Sequence, residues 1–375
     1  MFLQAGAQLP SWSLFLLISV LRDREDQNIL RAILLLHVLP GKSPFPELAF
    51  VLLIMEDGSV VCVTGASGFI GSWLVSFLLQ RGYHVRGTVL DLGERETKHL
   101  RALEGAQSRL ELFAVDLLDY ESLAAAIGKS VGVFHLATPV FLHKPDDPQK
   151  ELIEPAVQGT TNVLKACHAA RVRRIVVTSS VSAMVPNPHL PPDVAVDENC
   201  WTDIEYCKQH EVWYPLSKVL AEKVTWSLAA ELGLNVVVIN PGCVLGPMLQ
   251  PTLNASSSVV LNLLKGDRST QANTWLGVVH VKDVARALIL LYETAHAEGR
   301  HLCTETISHF SDFAEEVSQI YPQYNVHRFK EDTHPWLLRS TNPSKKLLEL
   351  GFKFTPTHDT IKDTVVCLQE RGLLS

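Results

Sequence analysis

A tyrosine and a lysine four residues apart, Tyr214 and Lys218, have the types and spacing needed for acid–base chemistry. At this spacing two side chains lie on one face of a helix, about one turn apart. An ammonium beside a phenol favours the phenolate, so Lys218 is expected to lower the pKa of Tyr214. A tyrosine tuned in this way exchanges a proton with a carbonyl oxygen. The pair alone is weak, because both residues are common on ordinary helices.

Hydroxyl side chains precede this pair, at the end of a predicted strand. Residues 174–178 form an apolar run, and Thr178, Ser179 and Ser180 close it. In a parallel sheet this is the edge at which ligands bind. A serine such as Ser180 can hydrogen-bond a substrate carbonyl and stabilise the negative charge that develops on its oxygen. A carbonyl group is therefore the expected target of this chemistry.

A glycine-rich turn lies about 150 residues before the tyrosine. The apolar residues 60–63 predict a buried strand, Gly65, Gly68 and Gly71 follow at three-residue steps, and residues 72–80 predict a helix. This order of strand, turn and helix forms a cradle for the pyrophosphate of a dinucleotide, because the helix start presents free N–H groups. A P-loop is disfavoured, since no Gly-Lys-Ser/Thr sequence follows.

Strands and helices alternate along the chain that follows the glycine turn. Strands are predicted at residues 83–90, 110–115, 131–136, 174–178 and 235–239, and long helices at 151–170 and 217–232. This alternation predicts an α/β fold, a doubly wound parallel sheet with helices on both faces. We expect an N-terminal extension at 1–54, a nucleotide-binding domain at 55–240 and a smaller, irregular substrate lobe at 241–375 that is interleaved with it.

Composition excludes several classes of protein. The 375 residues carry a net charge of −7, so no basic surface invites nucleic acid. The seven cysteines are scattered without Cys-x-x-Cys spacing, which favours reduced thiols in a cytoplasmic protein and no metal site. Two of them, Cys200 and Cys207, are close enough in sequence to form a redox pair, although free thiols are the simpler interpretation. Nothing in the sequence specifies an oligomeric state.

The first 54 residues differ from the rest. Their apolar runs are far shorter than the roughly 20 residues of a membrane helix, and charged residues separate them. A secretory signal is not evident. We expect a weakly structured extension before a fold that starts near Met55; a membrane anchor is the alternative. No membrane contact is expected for residues 55–375.

The motifs together resemble the extended short-chain dehydrogenase/reductase family, and most closely its plant dihydroflavonol reductase and cinnamoyl-CoA reductase group. The resemblance rests on the glycine turn, Ser180 and the Tyr214–Lys218 pair. It also rests on the amino-acid sequences of residues 63–75, 197–203, 246–256 and 280–284. It extends from about Met55 to the C-terminus. It implies a Rossmann fold and an NADPH-dependent reduction of an aromatic carbonyl or acyl-CoA thioester, with the cofactor supplying hydride.

The resemblance also implies roles for individual residues. Tyr214 would be the general acid, Lys218 would tune it and hold the nicotinamide ribose, Ser180 would bind the substrate oxygen, and Asn162 would support them from a neighbouring helix. The implied cofactor-binding residues are Thr64, Gly65, Ser67, Gly68, Phe69, Ile70, Gly71, Arg86, Asp91, Asp116, Leu117, Ala137, Thr138, Lys218, Pro241 and Gly242. Taken singly, Asn162 is equally an ordinary helix amide and Asp116 a strand-end cap.

The end of the second strand departs from these relatives. The group usually places an arginine there, which binds the 2′-phosphate of NADPH, whereas this chain has Leu90 followed by Asp91. An acid at this point favours the free ribose hydroxyls of NADH. Arg86, Arg95 and Lys98 lie nearby in sequence and can compensate. NADP(H) is the favoured cofactor, and NAD(H) is the alternative.

The substrate region departs as well. Cinnamoyl-CoA reductases carry Asn-Trp-Tyr-Cys-Tyr-Gly-Lys at the catalytic tyrosine, and here only the Trp-Tyr and Lys match; dihydroflavonol reductases place an asparagine where this chain has Val185. Both differences favour a paralogue that acts on another small aromatic aldehyde, ketone or thioester. An apolar pocket is expected from Trp201, Trp213, Met248 and Leu249. The alternatives are a redox-inactive dinucleotide sensor and a nucleotide-sugar epimerase or dehydratase.

Overall fold

The computed structural model describes residues 59–138, 146–191, 194–266, 275–326 and 338–375. By its internal contacts the chain divides into two units, Met1–Glu56 and Asp57–Ser375. The first unit, and with it the predicted extension at 1–54, lies outside the described residues. Everything below concerns the second unit. Among its described residues, no helix combines the length and the apolar character that crossing a membrane requires.

The strands of the described unit are numbered in chain order. They are β1 Val60–Thr64, β2 His84–Val89, β3 Leu110–Ala114, β4 Gly132–His135, β5 Arg174–Thr178, β6 Val236–Pro241, β7 Cys243–Leu245, β8 Trp275–His280, β9 Gly299–Cys303, β10 Thr306–His309 and β11 Ser340–Thr341.

The helices are numbered in the same way. They are α1 Phe69–Gln80, α2 Glu94–Arg101, α3 Ala106–Arg109, α4 Tyr120–Ile127, α5 Glu154–Ala169, α6 Ile204–Gln209, α7 Trp213–Leu232, α8 Ala255–Leu264, α9 Val281–Glu293, α10 Phe310–Ile320, α11 Lys345–Glu349 and α12 Thr357–Glu370. A π-helical turn at Gln149–Ile153 leads into α5, and a 3₁₀ turn at Val181–Ala183 follows β5.

Seven strands form the main sheet, in the order β3-β2-β1-β4-β5-β6-β9. All six neighbouring pairs are parallel. The strand order reverses between β1 and β4, so a crevice opens there at the carboxyl ends of the strands. The predicted doubly wound Rossmann fold is confirmed.

Helices cover both faces of this sheet, which explains why its central strands β1, β5 and β6 each contain a run of consecutive apolar residues. On one face α4, α5 and α7 pack on alternate strand residues such as Cys62, Val133 and Ile175. On the other face α1 packs against α9. The ring of Tyr292 from α9 lies against β4, where a Cβ on Gly132 would come within 2.2 Å of it. Glycine at that position therefore lets α9 approach the sheet.

A second, smaller sheet has the strand order β11-β10-β8-β7. Together with α8, α10 and α12 it encloses its own apolar core, which includes Leu245, Val278 and Phe313. The sequence predicted an irregular lobe after residue 240, but the structure is more regular than that. The chain returns to the main sheet at β9, which pairs with β6. Short strands with mixed polarity carry a weak periodic signal, which is why the pattern missed them.

Candidate active site

The glycine turn joins β1 to α1 and leaves the start of that helix open. Gly65 adopts φ +70°, a conformation that favours glycine. Its amide donates to Thr88 Oγ1 at 3.2 Å, which ties the turn to β2. The N-cap of α1 is Gly68, which has no side chain to accept from the first helical N–H groups, and the first turn contains no acid. No side-chain cap and no acid in the first turn therefore compete with a ligand for the amides at the start of α1.

Close packing explains two of the glycines. A Cβ on Gly71 would lie 2.1 Å from the carbonyl oxygen of Gly65, and one on Gly65 would lie 3.1 Å from the backbone of Ala137. The turn thus keeps its backbone close to both the helix and the end of β4. A cradle of this shape, with free amides and a helix dipole, fits a pyrophosphate.

Thr64 and a buried histidine at the end of β4 hold the floor of this cradle. The Thr64 hydroxyl oxygen accepts from the amides of Leu136 at 3.0 Å and Ala137 at 3.1 Å. Its proton is therefore left to donate to His135 Nδ1, 2.9 Å away. The opposite nitrogen, Nε2, then carries the proton and donates to Thr160 Oγ1 at 3.2 Å. Burial, with Lys218 nearby, lowers the pKa of His135 to about 3, so the ring is neutral.

The ends of β2 and β3 form the outer part of the same edge. Leu90 is 81% exposed and is followed by the exposed Asp91, whose Oδ1 accepts from the amide of Gly93 at 3.0 Å. Beyond β3, Asp116 is exposed and accepts from the amide of Leu118 at 2.9 Å. Both acids cap their own loops and face solvent at this edge.

Ser180, Tyr214 and Lys218 meet at the carboxyl end of β5. Tyr214 lies in the first turn of α7 and Lys218 one turn further on, with its Nζ 5.7 Å from the centre of the phenol ring. Ser180 is buried, and its hydroxyl lies close enough to the phenol of Tyr214 to act on the pKa of that group. This serine also accepts from the amide of Ser182 at 3.0 Å, which turns its side chain away from the strand.

The charges in this cluster differ in part from the prediction. Burial raises the pKa of Tyr214 above its usual value, although the hydrogen bond from Ser180 acts in the opposite direction. The expected lowering of the Tyr214 pKa by Lys218 is not found here: desolvation of the phenol has the largest effect, and the group that opposes it is Ser180. Burial also lowers the pKa of Lys218 to about 8, and Glu222 opposes that change. A phenol that stays protonated at neutral pH suits a proton donor.

A match to a known family agrees with this arrangement. Residues 61–302 match the model of the family described as NAD dependent epimerase/dehydratase. The chain belongs to that family. The matched segment begins at β1 and ends in β9, so it contains the cradle and the catalytic cluster together.

Curated relatives of high identity are named cinnamoyl-CoA reductase. Cinnamoyl-CoA reductase 1 of Petunia hybrida is 48% identical over 319 residues, which cover 85% of this chain and 94% of that protein. Cinnamoyl-CoA reductase 1 of Arabidopsis thaliana is 44% identical and is covered to 91%, with 85% of this chain aligned. The expected enzyme class, an NAD(P)-dependent oxidoreductase of the short-chain dehydrogenase/reductase type, is confirmed.

Two solved structures add detail. Vestitone reductase from alfalfa, Medicago sativa, superposes with a TM-score of 0.72 at 32% identity, covering 84% of this chain and 99% of that chain. Gre2 from Candida albicans, solved as an NADPH complex, gives a TM-score of 0.72 at 27% identity with the same two coverages.

Arg86, one of the predicted cofactor-binding residues, is held by partners away from the carboxyl end of β2. Arg86 lies in the middle of β2, and its guanidinium donates to the carbonyls of Ala125 and Ala126 at 2.8 and 2.7 Å. It also pairs with Glu111 at 2.9 Å and covers the Phe113 ring at 4.2 Å. These partners hold the guanidinium three residues before the strand end, and the predicted contact of Arg86 with the cofactor stays a prediction.

Asn162 is also fully occupied. Its amide nitrogen donates to the carbonyl of Leu117 at 2.9 Å, and its oxygen accepts from Gln158 at 2.8 Å. A Cβ on Gly159 would touch the Leu117 side chain at 2.9 Å, so α5 packs closely on the loop after β3. In this structure Asn162 fixes that loop, and its predicted support of the catalytic residues stays a prediction.

Four further predicted residues lie at or just beyond the carboxyl ends of strands β1, β4 and β6. Ser67 and Thr138 are half-buried on the two loops that face each other across the reversal point of the sheet. Pro241 ends β6, and the Gly242 amide donates to Cys303 O at 3.1 Å. A Cβ on Gly242 would lie 2.3 Å from Gly277 O. This glycine lets the main sheet and the small sheet approach each other beside the site.

Three of the residues predicted to line an apolar pocket lie in two separate apolar clusters. Trp201 stacks on Arg300 at 3.9 Å and packs in one cluster with Trp213. Met248 is buried in the core of the small lobe, whereas Leu249 is half-buried. Val185 is buried in a separate apolar cluster beyond the 3₁₀ turn.

Sequence reasoning missed three residues at this site. His135 holds the cradle, Glu222 lies behind the catalytic serine, and the half-buried Cys243 lies close enough to Tyr214 to raise its pKa. None belongs to a short motif. The spacing of Glu222, four residues after Lys218, was the one available signal, since it places the carboxylate on the face of α7 that carries the lysine.

Proposed function

We propose that the protein is an NADPH-dependent reductase of an aromatic carbonyl compound or acyl-CoA thioester. The observation that carries the proposal is the contact between Ser180 and Tyr214, with Lys218 buried beside them and the open cradle on the same sheet edge. The relatives named cinnamoyl-CoA reductase support the substrate class, and the NADPH complex of Gre2 supports the cofactor.

The cradle supplies what a dinucleotide requires. The amides at the start of α1 would hold the pyrophosphate, Asp116 would face the adenine side, and Ala137, Thr138, Pro241 and Gly242 would flank the nicotinamide. NADPH, when bound there, supplies the hydride that reduces the carbonyl carbon. The remaining chemistry belongs to the side chains of the chain itself.

The catalytic cluster handles the oxygen and its proton. The Ser180 hydroxyl would donate to the substrate carbonyl oxygen and stabilise the charge that builds up on it. Tyr214 would give its proton to that oxygen, which completes the alcohol from an aldehyde or ketone. With a thioester, loss of the thiol after the addition would leave the aldehyde. Lys218 would orient the ribose, and its ammonium would stabilise the phenolate that Tyr214 becomes after it gives up its proton.

Two of the residues that differ from the sequence of the cinnamoyl-CoA reductases are buried in the fold. Leu216 is buried in the protein core, and the hydroxyl of the buried Ser217 donates to Tyr214 O at 2.8 Å. Neither side chain faces the catalytic oxygen, so these differences alter helix packing and leave the substrate contacts of Tyr214 unchanged.

The test is to incubate the purified full-length chain with NADPH and a panel of hydroxycinnamoyl-CoA thioesters, cinnamaldehydes, dihydroflavonols and nucleotide sugars. We expect NADPH oxidation with a thioester or an aldehyde, and its loss in Tyr214→Phe. Turnover of nucleotide sugars alone would favour the epimerase alternative. Cofactor binding without any turnover would favour a sensor and would overturn the proposal.

A further inference from the structure

A buried carboxylate lies directly behind the proposed catalytic residues. Glu222 is 1% exposed and lies one turn beyond Lys218 on α7. Its Oε2 accepts from the Ser179 hydroxyl at 2.5 Å and from the Asn240 amide nitrogen at 2.8 Å. Its Oε1 accepts from the Arg300 guanidinium at 2.5 Å. The carboxylate therefore accepts hydrogen bonds from side chains at the end of β5, in β6 and in β9.

Two of these contacts reach the backbone of the catalytic serine. The Asn240 amide nitrogen, which Glu222 holds, also donates to the carbonyl oxygen of Ser180 at 3.1 Å. Ser179, the neighbour of that serine, is bound by the same carboxylate oxygen. Ser180 is thus fixed from both sides through a single acceptor.

Arg300 anchors the carboxylate to the rest of the fold. Its guanidinium donates to the carbonyls of Cys200 and Glu198, the latter at 3.0 Å, and covers the Trp201 ring at 3.9 Å. The segment before α6 is therefore locked to β9. A buried ion pair of this kind is a poor way to gain stability, because the desolvation of both charges offsets their attraction. Its position beside the catalytic residues suggests another use.

We propose that Glu222 is a positioning residue for the proposed reductase: together with Arg300 and Asn240 it fixes Ser180, and it places a carboxylate one turn along α7 from Lys218. This inference rests on the proposed function. Lys218 is faced by Tyr214 and Glu222 on its own helix and by the neutral His135 at the end of β4. Burial favours the uncharged amine, and the carboxylate of Glu222 opposes it.

The first measurement follows the titration of Lys218 without requiring turnover. The full-length protein is treated with trace acetic anhydride across a pH series, and acetylation of Lys218 is quantified by mass spectrometry. We expect the midpoint of labelling to move to lower pH in Glu222→Gln. The double variant Glu222→Gln/Arg300→Met leaves no unpaired buried charge and should keep its fold while showing the same movement.

The second measurement is kinetic. In the same variants we expect kcat to fall roughly 10- to 100-fold because Ser180 is less well placed, with KM and the Kd for NADPH changed less than about threefold. Glu222→Asp should recover part of kcat. Asp283→Asn is the matched control: Asp283 is a fully buried carboxylate that accepts from the Thr355 amide at 2.6 Å, away from the catalytic cluster.

The outcomes separate this inference from the proposed function. Asp283→Asn should lose thermal stability with the Lys218 midpoint and kcat unchanged. A folded Glu222 variant with an unchanged midpoint and an unchanged kcat would overturn the inference. If the wild-type chain reduces none of the tested substrates, the proposed function fails, and the labelling midpoint still tests whether Glu222 acts on Lys218.

Discussion

The glycine turn is made of backbone, whereas the catalytic cluster is made of side chains from four separate segments. In the turn, Gly65, Gly68 and Gly71 matter because a Cβ would collide or fill the space above the amides. In the cluster, Ser180 and Lys218 are held by groups that come from β5, α7, β6 and β9. In the turn, the lack of side chains leaves room for the proposed ligand. In the cluster, buried charged groups fix the positions of the proposed catalytic residues.

This difference indicates how each region responds to change. The turn is sensitive to added volume, because its parts already touch. The cluster is sensitive to removed charge or hydroxyl groups, since each group satisfies several partners in a site of low polarity. His135 joins the two regions, because it binds Thr64 on one side and lies near Lys218 on the other.

The largest expected effect separates catalysis from binding. Tyr214→Phe removes the proton donor and should lower kcat roughly 10²- to 10⁴-fold. The Kd for NADPH should stay within about twofold, because the cradle is untouched. Tyr206→Phe is the control, since that ring stacks on His210 in α6. Normal turnover by Tyr214→Phe would show that Tyr214 is not the proton donor.

The second effect concerns the residue between the two regions. The folded-state pKa of His135 is about 3, against an ordinary value of 6.5, so the unfolded chain binds more protons between these pH values. Its share of the stability is fully present above pH 6.5 and is lost as the pH falls towards 3. The free energy of unfolding is measured by urea titration at pH 7 and at pH 4. Between these two values it should fall by about 3 kcal/mol less in His135→Gln than in the wild type.

The exposed His84 provides the control for that experiment. His84→Gln makes the same substitution at the surface and is measured over the same pH range. Equal slopes for His135→Gln and the wild type would show that the histidine is not kept neutral in the fold.

The third effect tests the turn. Gly71→Ala should weaken NADPH binding at least tenfold and destabilise the fold by roughly 1–3 kcal/mol, since the new methyl group meets Gly65 O. Gly82→Ala, at the other end of α1, adds a methyl group with nothing within 4 Å and φ +85°. This control variant should lose stability but should bind NADPH as strongly as the wild type. Binding by Gly71→Ala at wild-type strength would contradict the cradle.

The smallest effect lies at the rim of the turn. Leu90→Arg places a guanidinium at the exposed end of β2 and should improve the preference for NADPH over NADH about fivefold, as expected for a solvent-exposed charge pair. Val366→Arg, an exposed position on α12, should leave the preference unchanged. No change in Leu90→Arg would place the 2′-phosphate elsewhere.

The same difference explains what the sequence could predict. The turn and the sheet around it follow local rules, so β5 was predicted to the residue and β1 to within one residue. The pair Tyr214–Lys218 was also visible, because helical spacing places both on one face. Contacts between distant segments, such as Arg300 with Glu222, leave no periodic signal. The partners of Arg86 and Asn162 were missed for that reason, as was the return of the chain to the main sheet at β9.

The most direct test of the account follows the hydride itself. The full-length protein is incubated with NADPH deuterated at the transferred position and a hydroxycinnamoyl-CoA thioester, and the product is examined by mass spectrometry. The account predicts deuterium on the former carbonyl carbon in the wild type and none above background in Tyr214→Phe. A protein that binds NADPH yet transfers no deuterium to the thioester, or to any aromatic aldehyde or ketone supplied in its place, would contradict it.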